Sequence, residues 1–288
     1  MLILKQNHYV RDSEYIRFNA LMSRWALALP TESWGVFISM KYMVSKARIV
    51  DKILPIMLEN SDCRCFVDMF CGGCSVIQRV PKSYKRIAND ANPFLVSMWR
   101  FLVETKLEFP MHITRESYAF WRNIYNGRKK LPFACTSDDA MIGWVGFMGS
   151  YNGRFFDGGY SGHEVKGRDY IGENIRNTLS QVEDLKGVDF RCNQYKDFQF
   201  DEKSIIYCDP PYKGVKKYSY SIDHDYFWDW CRKQVGLGHK VFVSEYQAPE
   251  DFVCVWEQVL TNSMHQTNTK KPIERLFVHK SQLYEITK

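Results

Sequence analysis

The sequence predicts an α/β protein built on a doubly wound sheet. An apolar strand at residues 65–70 leads into the turn Cys71-Gly72-Gly73-Cys74, and a helix is expected from Ser75 onward. A second strand, at residues 86–90, ends in an acid, and Asn92-Pro93 then opens another helix. A strand, a glycine turn, a helix and a second strand ending in an acid form the opening βαβ unit of such a sheet.

Composition limits the class of protein. The chain has 288 residues, of which 45% are apolar and 25% charged, which suits one large domain or two modest ones. No apolar run is long enough for a transmembrane helix, and the first residues lack the apolar core of a secretory signal. Nine cysteines in such a chain predict reduced thiols in the cytoplasm.

The remaining elements follow from hydrophobic periodicity. Short helical stretches are expected between Tyr15 and Leu29, and a helix within residues 45–58. Residues 113–170 are rich in Gly, Asn, Arg and aromatic residues, and we interpret them as an inserted subdomain, mainly helical or loop-rich. Core strands are expected at residues 204–209 and 240–244, and a last pair at residues 254–256 and 275–278.

The most specific motif is Asp209-Pro210-Pro211-Tyr212, which directly follows an apolar strand. Prolines lack amide donors and fix φ, so the turn is rigid and presents a carboxylate, a free carbonyl and an aromatic face. Two acceptors on the N–H bonds of a planar exocyclic amine free its lone pair for attack, and Tyr212 can stack on the ring. A surface Pro-Pro turn is the alternative, which the buried strand before the motif disfavours.

A second motif, Asp68-x-Phe70-x-Gly72-Gly73, follows the first strand. Its glycines let a cofactor approach the backbone closely. Asp90 lies 22 residues after Asp68, at the end of the second strand, where an acid can bind ribose hydroxyls. The joint spacing indicates a nucleoside cofactor.

Together these motifs resemble the Dam-like, D12-class DNA adenine-N6 methyltransferases of the α-type, particularly their phage-encoded members. The resemblance runs from about Met40 to Lys280. The motifs stand in the family's order: residues 41–46, then 68–73, then a recognition region at 113–170, then 209–212. It implies a Rossmann-like methyltransferase sheet with residues 40–112 and 171–288 as the catalytic domain, 113–170 as the target-recognition insert and 1–39 as an N-terminal extension.

The resemblance also implies the ligands and their residues. S-adenosylmethionine is the expected cofactor and double-stranded DNA the expected partner, inside a bacterial or phage-infected cell and in a restriction-modification setting; a partner nuclease is not identified. The residues matching the cofactor positions are Tyr42, Lys46, Asp68, Phe70, Gly72, Asp90 and Asp209. The residues matching the catalytic turn are Asp209, Pro210, Pro211 and Tyr212.

The sequence departs from the family at two places. Val44-Ser45 replaces the usual Gly-Gly of the N-terminal motif, and Cys74 replaces the second glycine of the glycine motif. If either position requires a positive φ, the loop must be remodelled, because a side chain is costly there, and cofactor binding would be weaker.

Basic residues near the motifs are candidate contacts to DNA. The net charge of +6 permits a nucleic-acid partner without requiring one, and the aromatic fraction of 15% leaves a surplus for stacking on bases. Arg154 is the strongest candidate, because it stands in a run of Gly, Asn and aromatic residues. The residues singled out for DNA contact are Arg154, Asn152, Lys213, Lys216, Lys217, Lys270 and Lys271. Further basic residues expected around the strand ends are Arg115, Arg122, Arg128, Lys129, Lys130 and Arg275.

Other chemistries are weaker. Cys63, Cys65, Cys71 and Cys74 have a spacing that could suit zinc, but they fall in the strand and the glycine turn, so we expect buried thiols and no metal. The seven histidines are scattered through the sequence with no close pair.

The sequence thus predicts methyl transfer to the N6 amine of a flipped-out adenine in DNA. The same turn chemistry would serve cytosine N4, adenine in RNA or a protein amide. An inactive DNA-binding module is the alternative that Val44 and Cys74 suggest.

Overall fold

The computed structural model describes residues 39–42, 45–105, 107–128, 135–212, 222–259 and 273–283, which all fall in one unit spanning residues 38–288. The helical stretches predicted between Tyr15 and Leu29 lie outside the described residues. So do Val44 and nearly all of the predicted N-terminal extension.

A seven-stranded sheet forms the centre of the protein, in the order β3-β2-β1-β4-β5-β7-β6. The strands are β1 Cys65–Asp68, β2 Lys85–Asn89, β3 Val188–Arg191, β4 Ser204–Cys208, β5 Lys240–Ser244, β6 Phe252–Val259 and β7 Ile273–His279. Strands β1 to β5 are parallel, whereas β7 runs antiparallel to both β5 and β6. This mixed α/β architecture confirms the predicted Rossmann-like fold class.

The strand order reverses between β1 and β4. From β1 the chain builds outward through β2 to β3, then returns to place β4 and β5 on the other side of β1. In open α/β sheets, ligands bind in the crevice at the carboxyl ends of the strands where the order reverses. The topology therefore places a ligand site beyond the ends of β1 and β4.

Seven α-helices connect the strands in the described part of the chain. They are α1 Val50–Leu58, α2 Pro93–Glu104, α3 Arg115–Arg128, α4 Ser137–Gly149, α5 Tyr170–Ser180, α6 Val182–Leu185 and α7 His224–Gly236. Helix α7 packs Phe227, Trp230 and Cys231 into a cluster with buried residues of β1, β4 and β5. None of these helices is long and apolar enough to cross a membrane.

The helix expected from Ser75 onward is wrong. Only a single 3-10 turn forms, at Ile77–Arg79, because Val80 already has an extended conformation ahead of Pro81. The helix predicted within residues 45–58 is present as a 3-10 turn, Lys46–Arg48, followed by α1. Strand β3 has no counterpart among the predicted strands, since it is four residues long and alternates buried and exposed positions at the sheet edge.

Residues 113–170 contain two long helices that the sequence pattern did not locate. Helix α4 is buried on nearly all sides, so it has no polar face to reveal the helical period. Its start is fixed by a capping box between Thr136 and Asp139. The role of this segment as a target-recognition insert, and the domain boundaries, stay predictions.

Glycines allow α4 to lie against its neighbours. A Cβ at Gly143 would overlap the backbone carbonyl of Phe94 in α2, and one at Gly146 would overlap the ring of Phe155. Gly149 faces Tyr118 of α3 in the same way. The close approach of α4 to α2 therefore requires glycine at position 143. Gly146 and Gly149 leave room in the same way for the rings of Phe155 and Tyr118.

The Gly143→Ala variant tests this packing. The added methyl must displace the α2 backbone, so we expect a loss of about 1–3 kcal/mol in the free energy of unfolding. The matched control is Gly127→Ala in α3, where a Cβ meets nothing within 4 Å and should be neutral or slightly stabilising. Urea unfolding measures both; equal stability of the two variants would contradict the close approach of α2 and α4.

Candidate active site and cofactor pocket

The predicted acidic residues meet at one edge of the sheet. Asp68 is the last residue of β1 and pairs with Tyr207 of β4, so Asp209 lies just beyond it on the neighbouring strand. A cavity of about 620 Å³ opens at this edge. Its size is that of a site for a small ligand or cofactor.

The cavity gathers most of the residues predicted from the sequence. Every predicted cofactor and catalytic residue contributes to its wall: Tyr42, Lys46, Asp68, Phe70, Gly72, Asp90, Asp209, Pro210, Pro211 and Tyr212. Arg154 also lines it, whereas Asn152 is exposed and does not. Lys213, Lys216, Lys217, Lys270 and Lys271 lie outside the described residues.

The glycine turn is braced by Asp90. One Asp90 oxygen accepts the Gly72 N–H at 3.1 Å, and the other accepts the Asn92 N–H at 2.8 Å. Gly72 has φ +47°, and a Cβ there would lie 2.6 Å from the ring of Tyr42. The turn therefore requires glycine at position 72 and presents its backbone to the cavity beneath Tyr42.

Cys74 occupies a position that favours glycine. Its φ is +57°, and its N–H donates to the Cys71 carbonyl at 2.7 Å. The turn thus keeps a left-handed conformation at position 74 although a cysteine replaces glycine, and it accommodates the strain that a side chain causes there. Cys74 is fully buried, and its thiol donates to the Gly72 carbonyl at 3.8 Å.

A buried ion-pair network lies on the far wall of the cavity. The Lys46 ammonium is 2.8 Å from Asp209 Oδ1 and 3.6 Å from Glu274 Oε2. It also lies 4.9 Å from the centre of the Tyr212 ring. Tyr212 donates its hydroxyl hydrogen to Glu274 Oε2 at 2.8 Å. These contacts hold the Asp209-Pro210-Pro211-Tyr212 turn in one arrangement.

Burial and like charge shape the acids of the cavity. Burial raises the pKa of Asp68 well above its ordinary value, and the negative charge of Asp209 raises it further. Burial also raises the pKa of Asp209, although the neighbouring Lys46 ammonium opposes this shift. Two carboxyl groups therefore face one space that a positively charged ligand would stabilise.

Asp68 carries an unsatisfied acceptor. Within the part of the chain that the structure describes, its Oδ1 is buried and has no hydrogen-bond partner, and the whole residue is 2% exposed. Buried carboxylate oxygens normally find partners, so an orphaned one on a cavity wall points to a ligand donor. The sequence motif marks Asp68 as a cofactor residue, but it does not show that one of its carboxylate oxygens lacks a partner.

The opposite wall comes from α3 and the loop after α4. Aromatic rings pack in tilted pairs beside it, with the ring centres of Tyr42 and Phe147 5.8 Å apart and those of Phe147 and Phe155 4.7 Å apart. Arg122 and Asn126 of α3 reach the cavity from one helix face, four residues apart. The sequence marks Arg122 only as one of several basic residues of the insert and does not mark Asn126, because nothing local distinguishes either residue from a solvated helix surface.

Glu274 is the central residue that sequence reasoning missed. It is 4% exposed and shares a face of β7 with Leu276 and Val278. One signal in the sequence could have revealed it: Glu274 alternates with the apolar Leu276 and Val278, so it falls on the buried face of the strand. Its partners, however, are 62 residues away or more along the chain.

The remaining candidates form no metal site in the described chain. Its cysteines are all free, and no group of three or more His, Cys, Asp or Glu residues there is placed to bind a metal ion. Two histidines that are distant in sequence nevertheless meet in the fold. The rings of His112 and His163 stack at 4.1 Å, and His163 Nδ1 lies 2.8 Å from Asp169 Oδ1.

Comparisons with known proteins agree with the motifs. Residues 42–136 match the family model described as D12 class N6 adenine-specific DNA methyltransferase. The chain is also 28% identical over 215 residues to the type II methyltransferase M.FokI of Planomicrobium okeanokoites. That alignment covers 68% of this chain and 32% of the relative, so the chain spans about a third of the length of the curated relative it matches.

The family model covers the N-terminal motif, the glycine turn and α2, which carry the predicted cofactor residues up to Asp90. The phage-type assignment stays a prediction. The resemblance to the D12-class DNA adenine-N6 methyltransferases that the sequence motifs indicated is confirmed by these matches.

Proposed function

We propose that the chain transfers a methyl group from S-adenosylmethionine to the N6 amine of adenine in DNA. One observation carries this proposal. The carboxylate of the Asp-Pro-Pro-Tyr turn shares a single cavity with the glycine turn and with the orphaned carboxylate of Asp68. A methyl donor and an acceptor amine can therefore meet there.

The cavity suits the proposed cofactor. S-adenosylmethionine supplies an electrophilic methyl group on a cationic sulfur, and it also carries an ammonium group. Asp68 Oδ1 is a buried acceptor for such a cationic donor, and Gly72 lets the ligand approach the backbone. Asp90 retains lone pairs for ribose hydroxyls beyond the two backbone N–H groups that it accepts.

Asp209 is the acceptor that orients the amine. The Lys46 ion pair favours its charged form, which can accept an N–H bond from adenine N6 together with the Pro210 carbonyl. S-adenosylmethionine, when bound, would supply the methyl group and depart as the thioether. Asp209 and the Pro210 carbonyl would leave the N6 lone pair free to accept that methyl group, and the displaced N6 proton would leave to solvent. Most of the rate comes from positioning, because Asp209 acts as an acceptor and not as a strong base.

The adenine must leave the duplex to reach this turn, since its N6 is paired and stacked in DNA. The flipped adenine is proposed to enter the cavity from the side of Arg154, which lines the cavity. Arginine binds phosphate or base edges near a flipped nucleotide. The domain made by residues 113–170 is proposed to provide this contact.

Asp209→Ala tests the catalytic assignment. We expect methyl transfer to DNA to fall by about 10² to 10³-fold, because the oriented acceptor is lost in a water-poor site. The control is Asp229→Ala, an acid on α7 whose side chain is 75% exposed, which should keep full activity.

The readout is labelled methyl transferred to DNA and RNA side by side, with product nucleosides separated. Label in N6-methyladenine supports the proposal. Label in cytosine or RNA would change the acceptor, and near-normal turnover of the alanine variant would remove Asp209 from the mechanism.

Asp68→Asn tests the cofactor assignment. We expect S-adenosylmethionine affinity to fall roughly tenfold to a hundredfold, since a charge-assisted contact is lost. Because the Asp68 pKa is raised by burial, wild-type affinity for the cationic cofactor should increase as pH rises through that pKa, and the variant should lack this dependence.

The same substitution should stabilise the protein without ligand. The unfolded chain ionises Asp68 at about pH 4, whereas the folded chain holds its proton to higher pH. The wild type therefore loses stability over that interval as pH rises, and the Asn variant does not. Calorimetric titration and thermal unfolding measure the two effects; a variant with unchanged affinity would exclude Asp68 from the cofactor site.

Arg154→Ala tests the DNA contact. We expect weaker binding on all DNA sequences and a slope of log K against log salt reduced by about one, if Arg154 contacts a phosphate. The control is Lys186→Ala, whose ammonium is exposed and paired with Glu183, outside both the cavity wall and residues 113–170. An unchanged DNA affinity in the Arg154 variant would contradict entry from this side.

A further inference from the structure

Strand β7 places an acid at the edge of the sheet where the cavity opens, although it runs in the opposite direction to β4 and β5. The parallel strands β4 and β5 end at this edge, and β7, being antiparallel to β5, begins there. Ser244, at the end of β5, pairs with Leu276, so Glu274 lies two residues further toward the cavity edge. The topology therefore brings Glu274 to the same edge of the sheet as the turn that follows β4, with β5 between the two strands.

The side chain of Glu274 lies in a fully enclosed setting. Glu274, Lys46 and Tyr212 are 4%, 3% and 5% exposed. Glu274 Oε2 accepts the Tyr212 hydroxyl hydrogen at 2.8 Å and lies 3.6 Å from the Lys46 ammonium. Two groups of the proposed reaction site thus converge on one oxygen of a residue that has no assigned role.

Stability alone does not explain an acid here. Its neighbours on the same face of β7, Leu276 and Val278, are fully buried apolar residues. Replacing a buried ionic cluster by well-packed apolar residues is often neutral or stabilising. A carboxylate at this position is therefore better explained by what it holds in place.

We propose that Glu274 is a positioning residue for methyl transfer at Asp209, an inference that rests on the proposed function. It anchors the Tyr212 phenol, which fixes the end of the Asp-Pro-Pro-Tyr turn. It also draws the Lys46 ammonium to a point between two carboxylates, so that Lys46 binds Asp209 from one defined direction. Asp209 is thereby held in one orientation toward the acceptor amine.

Three variants separate the hydrogen bond from the charge. Glu274→Leu removes both, Glu274→Gln keeps an acceptor for Tyr212 but loses the charge, and Tyr212→Phe removes only the donor. The matched control is Glu257→Gln on β6, an acid that pairs with Arg275 and is 60% exposed. All are assayed as the full chain, with S-adenosylmethionine and DNA saturating.

We expect kcat to fall roughly tenfold to a hundredfold in Glu274→Leu, the range for a lost hydrogen bond to a charged group. Glu274→Gln should fall between it and the wild type, and Glu257→Gln should stay at the wild-type value. The KM for S-adenosylmethionine should rise by a smaller factor than kcat falls, since Glu274 contacts Lys46 and Tyr212 and does not line the cavity that would hold the cofactor. A purely structural role would leave kcat of the folded protein unchanged, and that result would overturn the proposal.

A double-mutant cycle gives a readout that needs no activity. Glu274→Leu and Tyr212→Phe should be non-additive in urea unfolding, with a coupling of roughly tenfold in the unfolding equilibrium constant. Additive effects would overturn the proposal even in an active enzyme. If the coupling is present but the wild type methylates no acceptor, the proposed function is wrong, and Glu274 then has no positioning role in methyl transfer.

Discussion

One buried ammonium holds the candidate site together. Lys46 is almost fully enclosed and lies between Asp209 and Glu274, with its charge over the ring of Tyr212. A lysine in such a place is costly without acids, and the acids are costly without the lysine. The N-terminal motif and the Asp-Pro-Pro-Tyr turn lie far apart in the chain, and they therefore depend on one another for their geometry.

The sheet explains why these groups can meet. Parallel strands β1 and β4 end side by side where the strand order reverses, and they carry Asp68 and Asp209 to one edge. The antiparallel β7 then adds Glu274 at that same edge. The result is a cavity into which Asp68 and Asp209 both face, with the Lys46 ammonium paired to Asp209 on its wall.

Features fixed by neighbouring residues could be predicted from the sequence. The glycine turn, Asp90 and the proline turn after β4 depend on short-range backbone rules, and each lies where the motifs placed it. Helix α4 could not be located, because it is buried on nearly all sides and contains several buried glycines. Such a helix shows no amphipathic period in its sequence. Glu274 could not be assigned, because its meaning depends on the pairing of β7 with β5 and on partners distant in sequence. Cys74 shows a third limit, since a left-handed position can be kept by a residue other than glycine.

A crystal structure of the protein with S-adenosylhomocysteine tests this arrangement most directly. We expect the ligand in the cavity beyond β1 and β4, with its amino-acid end at Asp68, its ribose at Asp90 and its sulfur on the side of Asp209. Ligand bound elsewhere on the chain, or a cavity that stays empty at saturating ligand, would contradict the assignment of this edge of the sheet as the methyl-transfer site.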